Sequence, residues 1–117
     1  MQHPVVWFEV LGKDAQKLRG FYGELFGWKF NVDNPMNYGM LDPKATTRGI
    51  PGGIGEKSDK YAHAVTFYVE AKDIPAVLEH VERLGGKTVL PLTRLPGTTL
   101  ALFKDPEGNV IGLVEPQ

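Results

Sequence analysis

The chain contains no cysteine. Disulfides, thiolate metal sites and a cysteine nucleophile are therefore excluded. Charge of one sign is also lacking: thirteen Lys and Arg against fourteen Asp and Glu leave a formal net charge of −1, and no basic run exceeds two residues. That leaves no electrostatic footprint for nucleic acid or an anionic membrane surface. No apolar run approaches the ~18 residues of a membrane-spanning helix. No signal-peptide pattern follows Met1, so a cytoplasmic location is the expectation. The glycine-rich stretch Pro51–Glu56 lacks the Lys-Ser/Thr and following helix of a phosphate loop, and no nucleophile elbow occurs elsewhere.

What remains is an ordinary globular composition, 42% hydrophobic and 23% charged, in 117 residues, the size of one compact domain. The chain repeats itself within that length. W-F-E-V-L-G-K-D-A-Q-K-L-R-G-F-Y-G-E-L-F-G-W, from Trp7, and T-F-Y-V-E-A-K-D-I-P-A-V-L-E-H-V-E-R-L-G-G-K, from Thr66, each read strand, Lys-Asp, amphipathic helix, glycine. An offset of 59 pairs Phe8 with Phe67, Val10 with Val69, Asp14 with Asp73, Leu25 with Leu84 and Gly27 with Gly86. Two unrelated strand–helix units would share some of this, but not so many matches in one register, and a duplication explains them better.

Asp14 and Asp73 are natural N-caps, and Pro75 fits the first helical turn. Leu18, Phe21, Tyr22, Leu25 and Phe26 recur at helical spacing, as do Ile74, Val77, Leu78, Val81 and Leu84; Gly27 and Gly85-Gly86 are stop signals. Strands are expected at Trp28–Val32, Tyr38–Leu41 and Arg48–Ile54, then at Lys87–Pro91, Thr98–Phe103 and Asn109–Val114, with a loop at Asp42–Thr47. Asp105-Pro106-Glu107-Gly108-Asn109 has the chemistry of a tight turn. Ile50–Lys60 is the most linker-like stretch. The expected class is α+β: two tandem βαβββ modules, at about 3–55 and 62–116, joined by a linker at about 55–61 within one domain. A half of that size is marginal alone, so the two are expected to share a core.

Alternation sorts the strand faces. Val6, Phe8 and Val10 share one face, as do Val65, Phe67 and Val69, and both are expected to pack on the helices. Trp7 and Glu9, with Thr66 and Tyr68 in the repeat, lie on mixed faces suited to a small-molecule pocket, a solvated surface or a subunit interface. Gly112 stands in the last strand on the face of Val110 and Val114, at a cost of about 0.5–1 kcal/mol relative to a residue with a side chain.

Taken together, W-F-E-V-x-x-K-D, F-Y-x-x-L-F-G-W, G-G-I, F-Y-V-x-x-K-D-I, L-G-G-K and D-P-E-G-N-V-I-G-L-V-E-P resemble the vicinal oxygen chelate superfamily of glyoxalase, bleomycin-resistance and dioxygenase proteins, over essentially the whole chain. The resemblance implies incomplete barrels, usually in a homodimer, around small-molecule sites. In metal-using members of that family, ligands stand seven residues before each helix-start Asp and in the last strand of each module. Those positions are Trp7, Thr66, a residue within Gly49–Ile54, and Gly112 or a near neighbour. None carries a usual ligand, so no metal cofactor is expected, and Gly112 reads as a lost carboxylate. The chain is expected to bind a small molecule without metal: Trp7 as a wall, Glu9, Thr66 and Tyr68 as polar contacts, and Gly112 leaving room. The alternative is a lyase, isomerase or dioxygenase of the glyoxalase type, using a divalent metal ion on other ligands or Glu9 as a metal-free catalytic base. Tyr68 is the expected neighbour of Glu9. His3, His63 and His80 lack ligand spacing, and His63 shares the parity of Val65 and Phe67, so all three read as structural.

Overall fold

Two aspartates start the two helices. The Asp14 carboxylate accepts from the Lys17 N–H at 3.0 Å, opening α1 (Ala15–Phe26), and Asp73 accepts from Ala76 at 3.1 Å, opening α2 (Ile74–Arg83). Gly27 closes α1 in the left-handed region, with φ at 71°. Replacing Asp73 with alanine is expected to lower stability by about 1 kcal/mol, the usual worth of an N-cap, seen as a fall in urea midpoint at constant slope.

In the computed structural model, which describes residues 2–41, 48–61 and 63–117, eight strands accompany the helices. They are β1 (Val5–Gly12), β2 (Phe30–Asn31), β3 (Gly39–Leu41), β4 (Gly52–Glu56), β5 (Val65–Glu70), β6 (Lys87–Leu95), β7 (Thr98–Lys104) and β8 (Val110–Val114). The order is βαβββ twice, so the chain is α+β as expected. The loop expected at Asp42–Thr47 lies outside the described residues. The molecule divides into two compact units, Trp7–Val65 and Met1–Val6 with Thr66–Gln117.

In the first unit the strands run β2-β3-β4-β1 in an open sheet, with β1 and β4 parallel and the other pairs antiparallel. Trp28 is the hub of a ring cluster, with centroids 5.6 Å from Phe8, 5.8 Å from Tyr22 and 5.2 Å from Phe26. Such contacts add to simple area burial. The strand expected at Arg48–Ile54 is observed at Gly52–Glu56, inside the stretch that looked linker-like, and is buried through its first four residues. Its glycines are filled by rings from elsewhere: a Cβ on Gly52 would strike Phe8, and one on Gly53 or Gly55 would strike Tyr38. Strand pairing starts only at Gly52. Upstream, Gly49 has φ of 85° and Pro51 has no N–H to donate.

In the second unit the order is β5-β8-β7-β6, again open, with β5 and β8 parallel. Its core is Ala71, Ile74, Leu78, Ala101 and Leu113. β6 runs beyond the expected Pro91 end because it is the edge strand and its register shifts between Thr88 and Leu90 and between Leu90 and Thr93. An edge bulge is where a proline costs a sheet least. The expected helix-packing face holds only in part. Val69 packs on the core, but Val65 is 69% exposed and Phe67 is also exposed. The helix α2 lies over β6 and β7. The mixed face is the buried one, at Glu9 and Leu11 in the first unit and at Thr66 and Tyr68 in the second.

The D-P-E-G-N turn closes on its aspartate. Asp105 accepts from the Asn109 side chain, the Asn109 N–H and the Glu107 N–H, each at 2.9 Å. The Asn109 amide above all holds the Asp105 carboxyl below its ordinary pKa. A carboxyl depressed in the folded state stabilises above its unfolded pKa and loses that contribution as pH falls through the folded value. Asp105→Asn should therefore flatten the acid limb of stability against pH below about pH 4, measured by urea melts across that limb.

Candidate functional site

Strand β1 places Trp7 and Glu9 on one face, and two side chains from outside regular strands close on them. Tyr38, just ahead of β3, is clamped by Asn34. The Asn34 side chain donates to the Tyr38 carbonyl at 2.7 Å and accepts from its N–H at 2.9 Å. This fixes a ring that donates its hydroxyl proton to Glu9 Oε2 at 2.9 Å and accepts from the Trp7 indole N–H at 3.0 Å. The Trp7 and Tyr38 rings also stack, with centroids 6.4 Å apart and planes 26° apart. His63 Nε2 meets the other carboxylate oxygen, Glu9 Oε1, at 2.6 Å. The segment carrying His63 is tied to β1 by the Leu11 N–H, which donates to the Ala64 carbonyl at 2.7 Å. Burial, and after it the Glu9 charge, pushes the nearby Tyr61 phenol above its ordinary pKa.

Both ends of the Glu9 carboxylate are therefore engaged within its own unit, in a run from Trp7 through Tyr38 and Glu9 to His63. The His63 side chain is 3% exposed. Its Nδ1 is buried and has no hydrogen-bond partner among the described residues. The arrangement can hold an ionised carboxylate against a buried imidazole beside two stacked aromatic rings.

The other expected site residues meet in the second unit. Tyr68 stands opposite Gly112 in the parallel β5–β8 pair, and its ring covers the glycine. A Cβ at Gly112 would lie 2.7 Å from Tyr68 Cγ and closer still to two ring carbons. Gly112 does not leave room, as the sequence reading had it; the Tyr68 ring, 4% exposed, fills that space. Thr66 Oγ1 donates to the Val110 carbonyl at 2.6 Å.

Sequence reasoning missed Tyr38 and His63. Strand alternation gave His63 a helix-facing parity, but β5 begins at Val65 and a bend at Ala64 intervenes, so the alternation does not extend back to it. The signal for Tyr38 was N-P-M-N-Y, a turn with Asn37 at φ of 50° that swings the next side chain inward. Of the other histidines, His3 contacts the Glu70 carbonyl at 3.0 Å, and His80 is exposed on α2.

Two βαβββ units with open sheets and a buried polar cluster on a first strand define the class of protein. A profile of the glyoxalase/bleomycin resistance protein/dioxygenase superfamily matches residues 4–113, and the chain belongs to that superfamily. A glyoxylase-like domain-containing protein of Didymella fabae is 29% identical over 110 residues, 86% of this chain and 84% of that one. The fold is similar to that of a glyoxalase/bleomycin resistance protein/dioxygenase superfamily member from Vibrio splendidus 12B01, with a TM-score of 0.63 at 16% identity over 98% of this chain and 100% of that one. It is also similar to methylmalonyl-CoA epimerase from Mycobacterium tuberculosis, with a TM-score of 0.66 at 14% identity over 97% of this chain and 87% of that one.

Proposed function

We propose that the chain is a small-molecule-binding protein of this superfamily that works without the family's metal ion, as a cytoplasmic homodimer. The observation that carries the reading is the state of the family's ligand positions. The Trp7 indole N–H is spent on Tyr38, and the Thr66 hydroxyl on the Val110 carbonyl. Gly112, and Gly53 at the same register in the first unit, lie under tyrosine rings. Glu9 and His63 are of ligating type but are bonded to each other, and a divalent ion generally asks for three or more protein donors. These residues do not fit the metal. Trp7 and Tyr38 then serve as an aromatic wall and Glu9 with His63 as the polar contact. Exposed Phe21, Leu25 and Phe26 on α1 support pairing with a second copy. The cytoplasmic address rests on the sequence expectation alone.

A second reading, a lyase, isomerase or dioxygenase of the glyoxalase type, is favoured by one observation: the 2.6 Å contact between Glu9 and His63, an acid–base pair in a buried setting. Turnover abolished in Glu9→Gln would support it. For the binding reading, native mass spectrometry of protein purified without chelators should show pairs of the 12.9 kDa chain retaining an organic molecule and no metal. A compound at a hundredfold over its Kd adds about 2.7 kcal/mol of stability. In a metabolite screen the true ligand class should therefore raise Tm by several degrees. A screen in which nothing raises Tm, on protein retaining nothing, would count against binding.

A further inference from the structure

We propose that His63 is the proton-accepting contact for the ligand in the first unit, that Glu9 is its positioning residue rather than the base, and that the ligand class is a molecule with a weakly acidic hydroxyl, a phenol or enol. This rests on the small-molecule-binding reading above and names the atom that does the work. An ionised carboxylate only accepts hydrogen bonds, and Glu9 accepts one at each oxygen, from the Tyr38 hydroxyl at 2.9 Å and from His63 at 2.6 Å. The Nε2 of His63 therefore carries its proton whether or not the ring is charged, and in the neutral ring the lone pair sits on Nδ1. That nitrogen is buried and without a partner among the described residues, on a side chain 3% exposed. Buried polar atoms nearly always have partners, so this one points to a partner from outside the chain.

The chemistry of that partner follows from what surrounds the ring. A lone pair whose imidazole is held by a carboxylate is suited to take a proton, because the imidazolium that forms is stabilised by Glu9. In the step, the ligand O–H bond breaks with its electron pair left on oxygen, Nδ1–H forms, and Glu9 stays ionised throughout. No oxidant, reductant or further reactant enters.

The probe is 4-nitrophenol, whose absorption separates phenol from phenolate. At a pH where the free probe is mostly protonated, the protein should bind it saturably and hold it as phenolate. His63→Gln should lose the phenolate signature and bind about tenfold to a hundredfold more weakly, the scale of one hydrogen bond to a charged group. Since that variant can also weaken the fold, nitrogen-15 NMR of the imidazole is read in the unaltered protein. Nε2 should be protonated and Nδ1 bare in the free state, with Nδ1 protonated at saturation. A proton on Nδ1 in the free protein, or no saturable binding of the probe, would overturn the assignment. Binding that leaves the Nδ1 resonance unmoved would also overturn it, because the atom would then be satisfied by buried water alone. Metal found in the purified protein would sink the metal-free reading while leaving the free-state tautomer result standing; a wrong tautomer in metal-free protein sinks only this inference.

Discussion

Glu9→Ala is expected to lower stability by about 1–3 kcal/mol, the scale for leaving a buried hydrogen-bond donor without its acceptor. The Tyr38 hydroxyl and the His63 Nε2–H both donate to that carboxylate. Both would lose that acceptor, and a buried donor that loses its acceptor costs more than the bond was worth. Glu9→Gln should cost less, because its amide oxygen still accepts from one of the two. In a double-mutant cycle with His63→Ala, the two losses should fall short of additive by about 0.5–3 kcal/mol. Urea melts of the four proteins give the result. Additive losses, or a Glu9→Ala protein as stable as the parent, would mean that the contact contributes nothing and the cluster is not a unit.

The second large effect is expected at Gly112. Gly112→Ala should destabilise by about 1–3 kcal/mol through overpacking, because the new methyl group meets the Tyr68 ring and the strand pairing holds both backbones in place. Tyr68→Ala alone should also destabilise, through the loss of a large buried ring. The informative protein is the double variant. With the ring gone the methyl has space, so the pair should lose less than the sum of the singles. Gly112→Glu, which restores the carboxylate of the family pattern, should be worse than Gly112→Ala while Tyr68 is present. A Gly112→Ala protein as stable as the parent would show that the ring does not occupy that space.

Much of this architecture was legible because the duplication is written into the register. Glu9 faces Gly53 in one parallel pair and Tyr68 faces Gly112 in the other, the same offset of 59 that the sequence shows at Asp14 and Asp73. Val10 with Ile54 and Val69 with Leu113 repeat it. Capping aspartates, stop glycines and the D-P-E-G-N turn act through neighbours a few residues away, so their effects can be read locally. The strand β4 was legible only in part, expected at Arg48–Ile54 beside a linker-like run and observed at Gly52–Glu56. Gly52, Gly53 and Gly55 have the composition of a loop, and they pair as strand because Phe8 and Tyr38 provide the rings that their own side chains do not. The polar site was half legible for the same reason. Trp7 and Glu9 follow from alternation on one strand, whereas Tyr38 and His63 arrive from a turn and a bend, 29 and 54 residues away from Glu9, where no period applies. Within its own unit Glu9 bonds to Tyr38 and His63. The glycine in V-I-G-L-V was read as an open space, and it is a seat for an aromatic ring.

As proposed, this superfamily member keeps the fold and binds with Glu9, His63 and their aromatic neighbours in place of a metal ion. Calorimetric titration of zinc, nickel and manganese into protein stripped with chelator tests it most directly. The expected result is no saturable heat from any of the three ions. Stoichiometric binding of one of them, abolished by Glu9→Gln or His63→Gln, would contradict the claim.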